Sequence, residues 1–174
     1  MNNLIQYIYG IADNALILGQ RLGELCGHGP NLETDIAMTN IALDLLGQTR
    51  SYYQYAAQLS GNDATEDTIA FLRNEREYKN VLLAEQPNTD FAYSIGRQFL
   101  YDQFHLLLLE ELQNSTDETL AAIAKKKHQR SALPPSFFYR LGEAFGRRNR
   151  RKPRQNAKCH QRFMDIHRRI IPPN

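Results

Sequence analysis

The sequence predicts an all-α protein, an antiparallel bundle of helices that is incomplete at its C-terminal end. Three observations support this fold class. In residues 4–25 the apolar side chains recur at steps of three and four, which places them on one face of a helix. Short breaks at residues 26–30, 60–63 and 87–89 separate such segments, and short connections favour antiparallel neighbours. No segment before residue 126 alternates with a period of two, as a strand would.

The predicted helices cover the first 126 residues. Cys26-Gly27-His28-Gly29-Pro30 ends the first helix, since glycine is a common helix C-cap and proline suits the start of the next helix. We expect further helices over residues 31–59, 65–86, 90–113 and 119–126. The second is apolar almost all round between Met38 and Gly47, which indicates neighbours on several sides.

Composition limits the class of protein. A chain of 174 residues with 42% hydrophobic residues can form one domain with an apolar core. It has no run of about 18 apolar residues and does not start like a secretory signal, so we expect a cytoplasmic protein without a membrane segment. Cys26 and Cys159 are too few for a disulfide framework.

The net charge of +2 conceals two unlike parts of the chain. Residues 1–124 contain 6 Lys or Arg and 17 Asp or Glu, a net charge of −11, whereas residues 125–174 contain 15 and 2, a net charge of +13. We therefore divide the chain into a helical domain, residues 1–126, and a basic tail, residues 127–174, which also contains Pro134-Pro135 and Pro172-Pro173. The tail has no period that would bury a face, and we expect it to be disordered or irregular.

Four residues are candidates for a metal site or a buried polar network. Bundles that bind two metal ions draw a carboxylate from each of two helices and Glu-x-x-His from each of the other two. Asp44 lies inside an apolar run, and Asp102 and His105 have the three-residue spacing that shares a helix face. Glu75, however, is followed three residues later by Tyr78. With that histidine missing, we favour a polar network of Asp44, Glu75, Asp102 and His105 without a metal, and therefore no catalytic residue.

Three segments resemble a known family. They are Leu22–His28, the stretch LETDIAMTNIALDLLGQTR at residues 32–50, and TIAFLRNEREYKNVLLAEQPNTDFA at residues 68–92. Over about residues 3–125 the chain is similar to the structural, non-catalytic subunits of bacterial phenylacetyl-CoA epoxidases. The resemblance implies a ferritin-like fold and a scaffolding role in phenylacetate catabolism. It also implies a homologous catalytic subunit and other subunits of the complex as partners. The catalytic subunit would carry the di-iron cofactor, so this chain would need no cofactor.

The basic tail departs from that family in a way that a displaced reading frame explains. The family continues with a helix that reads roughly IKEARYHL, where this chain has HQRSALPP at residues 128–135. The codons CAT CAA AGA AGC GCG CTA CCA CCT encode HQRSALPP, and read from their second base they encode IKEARYH. Residues 146–171 decode in the same way to an acidic, amphipathic sequence. We interpret this as a single-nucleotide frameshift near codons 125–127.

Two other functions remain open at the level of sequence. The chain could be a di-iron oxygenase in its own right, using Asp44, Glu75, Asp102 and His105. It could also be a non-functional frameshifted fragment whose tail binds nucleic acid through the Arg148–Arg154 run. We do not favour nucleic-acid binding, because an out-of-frame tail was not selected to bind phosphates.

Overall fold

The computed structural model describes residues 3–61 and 64–131, so nearly all of the predicted basic tail lies outside the described residues. This part of the chain folds into helices, with no strand among them. The helices are α1 (Asn3–Gly23), α2 (Leu32–Ser60), α3 (Glu66–Phe71), a 3₁₀ turn (Glu75–Glu77), α4 (Leu82–Glu85), α5 (Phe91–Leu112) and α6 (Glu118–Ser131). Four of them, α1, α2, α5 and α6, form the bundle. The predicted helices over 4–25, 31–59, 90–113 and 119–126 are confirmed.

The turn between α1 and α2 is built from local hydrogen bonds. Asn31 caps α2, its side-chain oxygen accepting from the Thr34 amide at 2.8 Å. The Asp35 carboxylate accepts from the Gly27 and Gly29 amides at 2.9 and 3.1 Å. A Cβ on Gly29 would lie 2.8 Å from the Asp35 Cβ, so only glycine fits this close approach. The turn thereby fixes α1 and α2 as an antiparallel pair.

The predicted third helix over residues 65–86 is wrong. Its span contains α3, the 3₁₀ turn and α4, joined by extended backbone. The amides of Lys79 and Val81 donate to the side chains of Asp13 and Asn14 of α1, each at 2.7 Å, instead of to carbonyls four residues earlier. Buried acceptors on α1 therefore compete with the helix for these donors.

The segment from residue 64 to residue 90 is a crossover that runs along α1. Near its middle it contacts Asp13, and near its end the Arg21 guanidinium donates to the Glu85 carbonyl at 3.1 Å. The segment follows α1 in the N-to-C direction, so α5 enters the bundle in the same direction as α2. Consecutive helices remain antiparallel within the pairs α1–α2 and α5–α6.

The core consists of two apolar clusters at opposite ends of the bundle. The first joins α6 to the other helices and contains Ile5, Ile8, Tyr9, Ile11, Ala12, Leu16, Tyr52, Tyr53, Ala56, Ile69, Leu109, Leu112, Leu120 and Ala124. The second includes no residue of α6 and contains Ala15, Leu18, Leu22, Met38, Ala42, Leu45, Ala84 and Tyr101. The α6 helix therefore covers only one end of the bundle within the described residues.

A buried ion pair joins α1 to the crossover. Asp13 is fully buried, and its carboxylate accepts from the Arg73 guanidinium at 2.6 and 3.1 Å, from the Lys79 amide and from the Tyr53 hydroxyl. The guanidinium carbon of Arg73 also lies 4.4 to 5.3 Å from the ring centroids of Tyr9, Tyr53 and Tyr78. Below, Asp13, Tyr53, Arg73 and Lys79 are called the Asp13 cluster. A buried carboxylate is tolerated here because each of its hydrogen-bonding directions has a donor.

None of the helices that the structure describes is both long enough and apolar enough to cross a membrane.

We predict that Asp13→Ala destabilises the fold strongly. Arg73 would be left without its carboxylate and the Lys79 amide without an acceptor, and breaking a buried pair typically costs about 3–5 kcal/mol. Urea unfolding followed by circular dichroism measures the loss. Glu66→Gln is the matched control, since it breaks the exposed Arg50–Glu66 pair and should change stability little. Equal effects of the two substitutions would contradict the importance of the Asp13 cluster.

Candidate functional site

The structure does not bring the four predicted polar residues together. Asp44 and Glu75 are both exposed, and Glu75 belongs to the 3₁₀ turn of the crossover instead of a bundle helix. Asp44 lies on α2 beside apolar neighbours, but Leu43 and Leu46 are exposed as well, at 61% and 37%. The prediction of a single buried network of Asp44, Glu75, Asp102 and His105 is therefore wrong. It assumed that the apolar run of α2 is covered on every side.

His105 is the most buried of the four residues. Its Nε2 lies 2.7 Å from the Gln48 Oε1 of α2, so this nitrogen carries the proton and donates. The ring stacks on Tyr101, with centroids 5.3 Å apart and an angle of 17° between the planes. Burial lowers the pKa of His105 to about 4, since the charged form would lose its water. His105 is therefore a neutral histidine at neutral pH.

Asp102 lies one helical turn before His105, at the edge of the buried region. The Gln98 amide donates to its carboxylate at 2.7 Å. Burial raises the pKa of Asp102 to about 7, and this hydrogen bond only partly offsets the effect. A carboxyl group near its midpoint of titration at neutral pH is therefore present in the bundle, next to a histidine that stays uncharged.

Two buried polar atoms near this pair have no hydrogen-bond partner. They are the Nδ1 of His105 and the Oε1 of Gln98, and both belong to side chains that are almost completely buried. Both are acceptors in this protonation state, and a buried acceptor without a donor costs free energy. The described residues therefore leave these two buried acceptors of α5 without a hydrogen-bond donor.

The described residues do not fit a di-iron centre. Across residues 3–61 and 64–131, no group of three His, Cys, Asp or Glu side chains lies close enough to hold a metal ion. The Nε2 of His105 already donates to Gln48, while Asp44 and Glu75 face solvent. The expectation that this chain carries no metal stays a prediction.

Sequence reasoning missed the polar residues that organise the crossover. Asp13 and Asn14 of α1 and Arg97 of α5 are all buried. Arg97 donates to the Gln86 carbonyl and, at 2.9 Å, to the Asn88 side chain, and burial lowers its pKa to about 10. The signal in the sequence was the polar pair Asp13-Asn14 within the apolar stretch of α1. It was overlooked because only one face of this helix was expected to be buried.

Comparison with known proteins identifies the family. The family model described as "Phenylacetic acid catabolic protein" matches residues 1–131. The chain belongs to this family. It is also 52% identical over 126 residues to a subunit of the 1,2-phenylacetyl-CoA epoxidase of Escherichia coli (strain K12), an alignment that covers 72% of this chain and 50% of the relative. The chain thus spans about half the length of the curated relative it matches. The family match also confirms the ferritin-like helical fold expected from the sequence.

The two titrating groups of α5 predict opposite pH dependences of stability. The pKa of Asp102 is higher in the folded state than in the unfolded state, so its contribution is fully present below about pH 4 and is lost as the pH rises to about 7. The pKa of His105 is lower in the folded state, so its contribution is lost as the pH falls from about 6.5 to about 4. Between pH 4 and 6.5 the two slopes, each on the order of 1 kcal/mol per pH unit, should largely cancel.

We predict that single substitutions reveal each slope. Relative to wild type, Asp102→Asn should become more stable as the pH rises from 4 to 7, and His105→Gln should become more stable as the pH falls from 6.5 to 4. Urea unfolding at half-unit pH intervals measures both differences. A difference that stays flat across these ranges would show that the groups titrate as they do in water.

Proposed function

We propose that this chain acts in phenylacetate catabolism, as a structural, non-catalytic subunit of a phenylacetyl-CoA epoxidase complex in the cytoplasm. The observation that supports this most is its 52% identity over 126 residues to the E. coli epoxidase subunit, together with the family match over residues 1–131, which includes all the bundle helices described. In this proposal, phenylacetyl-CoA and its ring oxidation belong to the assembled complex. The partner is a homologous catalytic subunit that carries the di-iron centre.

The geometry of the crossover supports the non-catalytic role. A second Glu-x-x-His motif would have to come from a bundle helix facing the motif on α5. The segment around Glu75 instead forms an exposed 3₁₀ turn, and the backbone after it donates to Asp13 and Asn14. A histidine at the position of Tyr78 would lie beside the Arg73 guanidinium, a cation, which disfavours a metal ligand there. A scaffolding surface needs no such ligand.

We also propose that the basic tail is read in a displaced frame. The family match ends at residue 131, close to the predicted frameshift at codons 125–127. The reversal of charge after residue 124 has the same origin in this proposal. Resequencing the gene tests it directly, since an uninterrupted frame through codons 130–169 at high coverage would overturn it.

Co-purification tests the subunit proposal. We expect the full chain, co-expressed with a tagged catalytic subunit of a phenylacetyl-CoA epoxidase, to be retained with it on the affinity resin. The E. coli relative, expressed in the same way, is the matched control. If the relative is retained while this chain, folded by circular dichroism, is not, the proposal fails for this chain and the interpretation as a non-functional fragment is favoured.

Iron analysis separates the scaffold from a di-iron enzyme. We expect the purified chain to contain far less than one iron per molecule after expression in iron-supplemented medium. Asp44→Ala, which changes an exposed side chain and should fold normally, should not alter that value. Stoichiometric iron that is lost in Asp44→Ala and in His105→Gln would instead support an oxygenase centre within this chain.

A further inference from the structure

The crossover leaves α1 and returns to it at one place. The Arg73 guanidinium and the Lys79 amide both donate to the Asp13 carboxylate. The Val81 amide donates to the side chain of Asn14, the next residue of α1. The residues between these anchors, which include the 3₁₀ turn, therefore form a loop whose two ends meet beside α1. Because both acceptors on α1 are buried, the loop has a defined position.

Four large apolar side chains at the base of this loop face solvent. Phe71 and Leu72 directly precede the first anchor and are 71% and 77% exposed. Val81 and Leu82 lie at the last anchor and are 41% and 75% exposed. The crossover thus turns polar groups toward α1 and leaves these apolar side chains, called the crossover patch below, in solvent. Exposed apolar side chains that are gathered in one place and rimmed by polar residues mark interaction surfaces.

The charged residues beside the crossover patch are balanced, unlike those of the helical domain as a whole. Residues 1–124 contain six basic and 17 acidic residues, and three of the six basic residues lie between positions 73 and 79. In the loop, the exposed side chains of Glu75 and Glu77 are offset by the exposed side chains of Arg76 and Lys79. Two copies of an acidic domain repel each other on average, but a rim with equal numbers of both charges does not add to that repulsion.

We propose that two copies of this chain associate through the crossover patch, in a contact with twofold symmetry. In such a contact the same surface faces itself, so the apolar side chains of one copy cover those of the other. The acidic side chains of one rim can then face the basic side chains of the other, because each rim carries both. A partner with one strongly dominant charge would gain little from a balanced rim. The charges therefore favour a second copy as the occupant.

Sedimentation velocity of the full chain tests the contact. We expect the wild-type chain to pass from monomer to dimer with a Kd on the order of 10 μM, since the patch is at the small end of specific interfaces. Leu72→Glu should weaken dimerisation by about tenfold or more. Leu107→Glu, the same change at an exposed leucine of α5, is the matched control and should leave it unchanged. A chain that stays monomeric well above that Kd, or a dimer that tolerates Leu72→Glu, would overturn the proposal.

Two charge variants test the symmetry of the contact. Arg76→Glu with Lys79→Glu makes the rim acidic, and Glu75→Lys with Glu77→Lys makes it basic. Each variant alone should stay monomeric because like charges then face each other, whereas an equimolar mixture of the two should form dimers. If both variants are folded by circular dichroism and the mixture does not associate, the rim does not face itself and the twofold contact is wrong.

Further outcomes distinguish a second copy from other occupants. Association that is lost in Leu43→Glu and kept in Leu72→Glu would place the contact on the exposed side of α2 and overturn the proposal. If the wild-type chain is monomeric but is retained by the tagged catalytic subunit, and Leu72→Glu abolishes that retention, the patch binds the homologous subunit and self-association is wrong. A dimer that the catalytic subunit does not retain would support this inference while the subunit proposal fails.

Discussion

The bundle depends on the buried carboxylate of Asp13. It lies in the middle of α1, and its partners come from two other parts of the chain: Tyr53 from α2, and Arg73 and Lys79 from the crossover. Removing a carboxylate from water is unfavourable unless all of its hydrogen-bonding directions are used, so this one group requires three segments to meet at one place. The irregular backbone of the crossover follows from that requirement.

The Asp13 cluster also determines where chemistry could and could not occur. By binding the crossover along α1, it keeps Glu75 at the surface and prevents a helix that would face Asp102 and His105. Asp102 and His105 of α5 therefore face no second pair of this kind among the described residues, and His105 is hydrogen-bonded to Gln48. This arrangement agrees with the non-catalytic role proposed above.

Much of the fold could be predicted from the sequence because α1 has regular apolar spacing and α2, α5 and α6 begin at the side-chain caps Asn31, Asp90 and Asp117. The crossover could not be predicted, because its backbone donors bind side chains more than 60 residues away, and local periodicity contains no information about such contacts. For the candidate site, the spacing of Asp102 and His105 placed both correctly on α5. The exposure of Asp44 was not predicted, because the apolar residues around it indicated cover on every side, whereas Leu43 and Leu46 are exposed as well.

Amide hydrogen exchange measured by NMR tests the role of Asp13 most directly. The Lys79 and Val81 amides lie outside regular helix, yet each donates to a buried side chain of α1. We predict that they exchange as slowly as amides in the centre of α1, and that Asp13→Asn accelerates Lys79 far more than amides in the middle of α5. Exchange of both amides at the rate of an exposed loop in the wild-type chain would contradict this role of Asp13.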